Sequence, residues 1–469
     1  MLLTLAVVVV QMATVLVIEH RHPAKAVAWL MVLLVLPIVG FIVYIFVAKE
    51  YEQRRKVRHQ QIPFTLQQRL RSPSSCATSE SDVTQSISSR FATLLQNTSG
   101  FPVTCRNRST ILNDGVETYD AILAAMRQAK SHIHISFYIF RHDASGQRFK
   151  NVMLEKARKG VRIRFMYDGV GSMDLDRGFI DELKDAGVEC HCFLPPIIAF
   201  LDKRLNYRNH RKIVIVDGVV GYLGGINIGD EYIGKDKKMG YWRDMHIQLE
   251  GDAVYPLQHI FLHDWEKVSG KPLLECDHYY PDHTCDGEEH VQLIPGGPDM
   301  REHAIFYLYF SAACLAVKKL WIATPYFIPD RAMIRALSAA ALSGVDVRVM
   351  LPEKSDSRIV RSASLSYLEE LMDVNVKFYF YRKGFMHSKL IIIDDELASI
   401  GTANLDMRSF FSNFELNALL YDQTKVQELT DLYANDLTYC EEITRASIER
   451  RSLFQKGSEV VCRLLSSLL

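Results

Sequence analysis

Two stretches of this chain carry one pattern: His210-Arg-Lys212-Ile-Val-Ile-Val-Asp217 and His387-Ser-Lys389-Leu-Ile-Ile-Ile-Asp394. Each reads His, any residue, Lys, four apolar residues, Asp. Gly224-Gly225-Ile226-Asn227 follows the first copy and Gly401-Thr402-Ala403-Asn404 the second, each Asn equally far past its His. Residues two apart on a strand face the same way, so His210 shares a face with Lys212 and His387 with Lys389. The unbroken apolar runs Ile213–Val216 and Leu390–Ile393 suit strands buried on both sides. Each motif therefore starts where a buried strand emerges, and its His and Lys point into a cleft. One copy would be a weak signal; two with matched followers are a strong one.

The echo extends beyond the motifs. A helical pattern over Asp120–Lys130 precedes an apolar strand Ile133–Phe140, as a helical Met300–Val317 precedes a strand Leu320–Phe327. Gly160-Val-Arg-Ile-Arg-Phe-Met166 pairs with Gly344-Val-Asp-Val-Arg-Val-Met350, a Gly turn leading into an alternating strand each time. Gly187–Phe193 pairs with Val374–Phe380, and a His-x-Lys strand comes after each. Internal duplication explains this order, and strands alternating with helices imply an α/β sandwich in each half. Turn residues cluster at 255–290, where the halves should join. The expected division is 1–50 helical hairpin, 51–100 basic and Ser-rich linker, 101–265 first lobe, 266–290 connection and 291–469 second lobe with a C-terminal helix.

The first fifty residues are of another kind. Leu2–Ile18 is apolar except for Thr4, Gln11 and Thr14, and Ala26–Ala48 has no charge. Spanning takes about 20 apolar residues, so the second segment suffices and the first is marginal. A cleaved signal peptide is disfavoured, because no basic segment precedes the first run and no small-x-small site follows it. A tight transmembrane hairpin is expected, with Pro23 at the start of its second helix. Lys49, Arg54, Arg55, Lys56 and Arg58 outnumber the hairpin loop's Arg21 and Lys25, so the remainder of the chain is expected on the cytoplasmic side of a cell membrane, against anionic headgroups. Over 469 residues, 55 basic side chains balance 55 acidic ones, so composition gives no sign of a nucleic-acid partner. Nine scattered cysteines argue against a secreted disulfide framework and for a reducing compartment. Oligomeric state is left open.

Two His and two Lys can do a definite job. Exchange at a phosphodiester needs a nucleophile, a proton donor for the leaving alcohol and cations for the phosphoryl oxygens. Imidazole serves as nucleophile or acid, and lysines stabilise the growing charge. The Asn227 and Asn404 amides add donors. The motifs carry no cluster of carboxylates that suggests a two-metal site, so neither metal nor cofactor is expected.

These motifs resemble the phospholipase D superfamily, whose hallmark is the duplicated His-x-Lys-(four)-Asp. The resemblance covers about residues 101–450. It implies an α/β fold of two repeated sandwich lobes, mixed sheets flanked by helices, meeting at one site on a pseudo-two-fold axis, and a covalent phosphohistidine. It makes Asp217 and Asp394 mainly structural and uses a later carboxylate to orient each His. Glu415 fits that role after His387, and Asp244 is the best match after His210, although an extra loop, Lys235–Gly240, separates them. A narrower resemblance is to bacterial cardiolipin synthases of this type. It rests on Arg21-His-Pro23…Ala28-Trp29…Leu36-Pro37-Ile-Val-Gly40, Leu205-Asn-Tyr-Arg-Asn-His210, Tyr241-Trp-Arg-Asp244, Met386-His-Ser-Lys389, Gly401–Ser409 and the C-terminal Leu-Leu-Ser-Ser-Leu-Leu. That resemblance implies phosphatidylglycerol and other anionic phospholipids as substrates, His210 as nucleophile and His387 as acid/base. A phospholipase, a nuclease, a phosphatidyltransferase with another acceptor and an inactive membrane scaffold are the competing readings.

Other patterns have plainer explanations. Cys276-x-His278…His283-x-Cys285 has the residue types of a zinc site at an unusual spacing, and reads first as an exposed loop. Cys190-His-Cys192 reads as strand packing, and His134, His246 and His263 as structural. Tyr138 and Tyr326 end equivalent strands, either in the core or at the phosphate. Val460–Leu469 is either an interfacial helix or one packed on the core.

Overall fold

The computed structural model describes residues 2–19, 23–47, 87–195, 207–237, 239–273 and 277–465. The first lobe supplies β1 (Thr104–Leu112), β2 (His132–Phe137), β3 (Arg162–Asp168), β4 (Glu189–Phe193), β5 (Ile213–Val216), β6 (Val220–Gly224), β7 (Tyr241–Arg243) and β8 (His246–Gly251). The second supplies β9 (Glu289–Gly296), β10 (Lys319–Ala323), β11 (Phe327–Ile328), β12 (Asp346–Pro352), β13 (Lys377–Tyr381), β14 (Gly384–Met386), β15 (Leu390–Ile393), β16 (Leu397–Gly401), β17 (Leu405–Asp406), β18 (Glu415–Leu420) and β19 (Cys440–Glu442).

Instead of one sheet per lobe, a single 15-stranded sheet runs through both, in the order β19-β13-β12-β10-β15-β16-β18-β9-β1-β8-β6-β5-β2-β3-β4. Counted outward from the β9–β1 junction, the two halves have the same order, with β19 as an added edge. Directions match as well. The trios β2-β3-β4 and β10-β12-β13 are parallel, and the motif strands β5 and β15 run antiparallel to β2 and β10. The duplication read in the sequence is therefore a duplication of topology. The central strands are apolar on both faces because helices cover both. Gly115–Gln128, capped by Asp114, buries Tyr119, Ile122, Leu123 and Met126, while Arg331–Leu342, capped by Asp330, buries Met333, Ile334 and Leu337.

Several expectations need correction. The Ser-rich linker was taken to reach residue 100, but Ile87–Ser99 is a helix whose Phe91 and Leu95 join the second-lobe core beside Ile305 and Leu308. The uncharged segment 26–48 is interrupted. Pro23–Val35 and Pro37–Val47 are separate helices, because Pro37 has no amide hydrogen to continue the ladder. Among the described residues, no helix is long and apolar enough to cross a membrane. These helices and Leu2–Ile18 pack through Val15, Trp29, Leu33 and Tyr44, yet expose Val10, Val17, Met31, Leu34, Val35 and Ile38. The basic run at 49–58 lies outside the described residues.

The C-terminal helix Leu453–Leu465 packs on the second lobe: Arg463 donates to the Ser366 carbonyl at 3.0 Å and pairs with Glu370 at 2.9 Å. Its exposed Leu453, Phe454, Val460 and Val461 leave an apolar outer side. His283 pairs with Asp252 at 2.8 Å, Cys276 lies outside the described residues, and no cluster of three metal-ligand side chains occurs among those described. Cys105 is disulfide-bonded, whereas Cys190, Cys192, Cys285, Cys314, Cys440 and Cys462 are free thiols. His134 is structural as read, buried between Gln258 and Arg164.

Candidate active site

Two short cross-lobe pairings bring the motifs together. β7 runs parallel to β14, with Arg243 opposite Met386, and the His387 amide donates to the Arg243 carbonyl at 2.7 Å. The mirror contact is a bridge between Asn209 and Phe414, where the His210 amide donates to the Phe414 carbonyl at 2.9 Å. The residue after each pairing strand is a carboxylate. Glu415 therefore meets His210, Oε2 to Nδ1 at 2.9 Å, and Asp244 meets His387, Oδ2 to Nδ1 at 2.6 Å. Sequence order attached each carboxylate to the His of its own half; the structure exchanges them.

With Nδ1–H donated to a carboxylate, Nε2 is the nitrogen each ring has left for chemistry. His210 and His387 line one cavity of about 320 Å³, together with Tyr138, Tyr326, Asn227, Asn404, Trp242, Arg208 and Arg408. Burial pushes both imidazoles down to about 4, and with Nδ1 tied to an ionised carboxylate both rings rest neutral near pH 7. Glu415 and Asp244 are in turn held below the usual carboxylate range by the His and Lys beside them, which outweigh their own burial.

Lys212 and Lys389 are fully buried under the imidazoles. Lys212 Nζ donates to the His210 carbonyl at 2.7 Å, and Lys389 Nζ donates to the His387 carbonyl and lies 3.7 Å from Asp244. Burial pulls Lys212 down to about 7 and Lys389 to about 8, so each is poised to gain charge beside an anion.

Around the two carboxylates the lobes differ. Glu415 also accepts from Thr402 Oγ1, Ser409 Oγ (2.9 Å) and Asn413 Nδ2 (3.2 Å). Asp244 accepts from the Met245 amide at 2.8 Å. Gly225 occupies the place of Thr402, and a Cβ there would lie 2.1 Å from Asp244 Oδ1. The shorter Asp side chain draws its carboxylate back toward the turn, and only Gly leaves room for it.

The remaining predicted residues fall into two groups. Asn227 lines the cavity, its Oδ1 accepting from the Ile139 amide at 3.1 Å; Asn404 lines it too, with Nδ2 on Asp406 at 3.2 Å and a buried Oδ1 that has no hydrogen-bond partner among the described residues. Asp217 and Asp394 stand at the far ends of their strands, outside the site. Asp217 accepts from the Lys130, Ser131 and His132 amides, and Asp394 from those of Val317, Lys318 and Lys319. Both have left-handed backbone, φ 56° and 53°, and each pins the start of the strand next to its own. Tyr138, the open case, is in the site: its ring lies 5.1 Å from that of His210, with Lys212 Nζ 5.4 Å from its centroid. Tyr326 lines the same cavity with its hydroxyl on Asp356.

Sequence reasoning gave no role to Arg208, Arg408 or the Thr402-Ser409-Asn413 set, which have no counterpart in the other repeat. His246, read as structural, is so, and its task has a counterpart in the other lobe. His246 stands two residues past Asp244 and accepts from the Ile226 amide at 3.3 Å, just as Asn417, two past Glu415, accepts from the Ala403 amide at 3.2 Å. Each fixes the turn that carries a site Asn, a symmetry visible in the sequence only once the lobes are aligned.

Comparison with known proteins agrees with this geometry. The family model described as "Cardiolipin synthase, PLD-like domain" matches residues 122–265 and 311–437, and "Phospholipase_D-nuclease N-terminal" matches residues 2–49. A cardiolipin synthase of Geobacillus kaustophilus is 43% identical over 98% of this chain and 92% of its own length. Cardiolipin synthase 2 of Bacillus anthracis is 43% identical over 97% and 89%. Among solved structures, a phosphatidylserine synthase of Haemophilus influenzae shares the fold at 14% identity, with a TM-score of 0.59 over 81% of this chain and 98% of that one. The doubled motif, the two-fold sheet and this similarity along nearly the whole chain together place the protein in the cardiolipin synthase family of phospholipase D-like enzymes.

Proposed function

We propose that the protein transfers a phosphatidyl group between two phosphatidylglycerol molecules, giving cardiolipin and glycerol. The single observation that carries this is the pair of imidazoles sharing one cavity, each oriented through Nδ1 by the other lobe's carboxylate. His210 Nε2 attacks the phosphorus of the first lipid; the N–P bond forms as the bond from phosphorus to the glycerol oxygen breaks. His387 Nε2–H protonates that oxygen, and glycerol leaves. His387 then takes the proton of a glycerol hydroxyl on the second lipid, whose oxygen attacks phosphorus and displaces His210. Neutral His387 acquires its first proton because an arriving phosphodiester anion stabilises imidazolium and ammonium alike. Lys212, Lys389 and the Asn227 amide are the donors for phosphoryl oxygens. His210 is assigned as nucleophile from the family resemblance. A labelled phosphoprotein that accumulates in His387→Ala and not in His210→Ala supports the assignment; the reverse exchanges the roles.

The apolar face of the N-terminal helices and the basic run after them support a membrane anchor, which holds the site beside lipid headgroups on the cytoplasmic side. The matched order of strands around β1 and β9 supports lobes at 101–265 and 291–469. A phospholipase would form the same intermediate and let water attack it. Membranes given labelled phosphatidylglycerol alone decide between them: cardiolipin plus glycerol is expected, and phosphatidic acid as the sole lipid product would sink the transferase reading.

A further inference from the structure

Two cations in the cavity have no place in the motif chemistry. Arg208 comes from the segment leading into His210, and Arg408 from the short helix Met407–Phe411 of the other lobe. Both are half-buried, and both act on Tyr138, whose ring stands edge-on to His210. Burial lowers Arg208 from its usual range and repulsion by Arg408 adds to it, against the attraction of Asp168. Among the described residues Arg208 has no carboxylate at ion-pair distance; its guanidinium donates to the Tyr207 carbonyl at 2.7 Å.

The nearby carboxylates make their hydrogen bonds elsewhere, although Asp168 attracts Arg208 and Asp406 attracts Arg408 at longer range. Asp168 accepts from the Val170, Gly171 and Asn209 amides, Asp406 from the Ser409 amide and Asn404, and Asp356 from the Tyr326 hydroxyl. Two like charges facing one cavity call for an anion between them. The reacting phosphate already has a lysine from each lobe. In cardiolipin, however, two phosphodiesters are joined through one glycerol, so the second lipid's own phosphate must lie within a glycerol's length of the phosphohistidine.

We infer that Arg208 and Arg408 form the subsite for the non-reacting phosphate of the acceptor lipid. This deepens the function proposed above and rests on it. One guanidinium from each lobe clasps the acceptor phosphate on the Tyr138 side of His210, which presents the terminal glycerol hydroxyl to phosphorus. The acceptor is thus selected as an anionic phospholipid, and a neutral alcohol cannot use the same grip.

The test separates the half-reactions in the full-length protein, in vesicles of phosphatidylglycerol. Exchange of labelled free glycerol into phosphatidylglycerol reads cleavage and its reversal with a neutral acceptor, and cardiolipin formation reads transfer to the lipid acceptor. In Arg208→Gln and Arg408→Gln, cardiolipin formation should fall at least about tenfold further than glycerol exchange, with a raised KM for the lipid, and Arg→Lys should recover part of it. Measurable exchange certifies that each variant is folded. Equal losses in both assays would assign the arginines to the reacting phosphate, and unchanged ratios would likewise overturn the subsite. Wild-type protein that exchanges glycerol but forms no cardiolipin would instead overturn the function, and this inference with it.

Discussion

The two half-sites are built on one plan and finished differently. On the His210 side a Glu is gripped by Thr402, Ser409 and Asn413 as well as by the imidazole. On the His387 side a shorter Asp accepts from one amide and the imidazole, has Lys389 at 3.7 Å, and requires Gly225 behind it. Topology was duplicated exactly once and kept, while the side chains around the reacting atoms diverged. The lesson is that the two His are equivalent in reach and unequal in support, which suits one that stays bonded to phosphorus and one that ferries a proton.

The largest effects come from erasing either side. His210→Ala and His387→Ala should each lower phosphatidyl transfer by about 10⁴-fold or more, since residues acting as a unit fail together. Substantial turnover in either variant, measured by cardiolipin formation, would break the two-His scheme. Next come Glu415→Gln and Asp244→Asn, which keep shape but remove the negative charge and let an amide NH2 face Nδ1, so that the imidazole tautomer is no longer fixed. Losses of about 10²–10⁴ in kcat are expected, by analogy with a catalytic Asp changed to Asn. Crossed pairing makes a sharper claim: Glu415→Gln should move the pH response of His210, and Asp244→Asn that of His387, as read from imidazole NMR shifts.

Smaller changes probe the difference itself. Gly225→Ala should cut activity by about 100-fold, because its Cβ would displace Asp244, and the misplacement propagates to His387. Thr402→Ala, at the matching position, removes one of Glu415's donors, should lower stability by about 1 kcal/mol and should leave most activity. Comparable losses in a paired activity and thermal-unfolding measurement would erase the asymmetry. The mildest effect is on pH. Lys212 and Lys389, pulled down to about 7 and about 8, lose their charge as pH rises, so kcat/KM, which already falls as the acid form of His387 is lost, should enter a steeper decline from about pH 7 upward. Lys212→Arg, which stays charged, should move the start of that decline to about pH 8.

Much of this was written in the chain. The doubled motif, the strands flanking it, both buried runs and both later carboxylates could be found by laying residues 101–265 beside 291–469. The exchange of Asp244 and Glu415 could not, because it depends on β7 meeting β14 and Asn209 meeting Phe414 across the lobes, contacts between segments far apart in sequence. The loop Lys235–Gly240 hid the match further, lengthening the path to Asp244 without moving the residue from its place after β7. Helix Ile87–Ser99 was masked by serines on its polar side, while Phe91 and Leu95 carry its packing. Arg208 and Arg408 stand in the quoted motifs without a role, because a repeat reveals what is shared and neither has a counterpart in the other half. The helix break at Pro37 is legible from proline alone, although the apolar composition runs on across it.

The exchanged carboxylates also bear on how such an enzyme is made safely. A ribosome delivers the first lobe, with His210 and Lys212, while the second is still being synthesised. That half holds an unoriented imidazole and a carboxylate meant for another, so a nascent or broken chain lying against the bilayer has no means of cutting the lipids beneath it. In the proposed mechanism reactivity needs both β7 paired with β14 and Asn209 bridged to Phe414, which makes completion of the fold the licence for attack on the membrane.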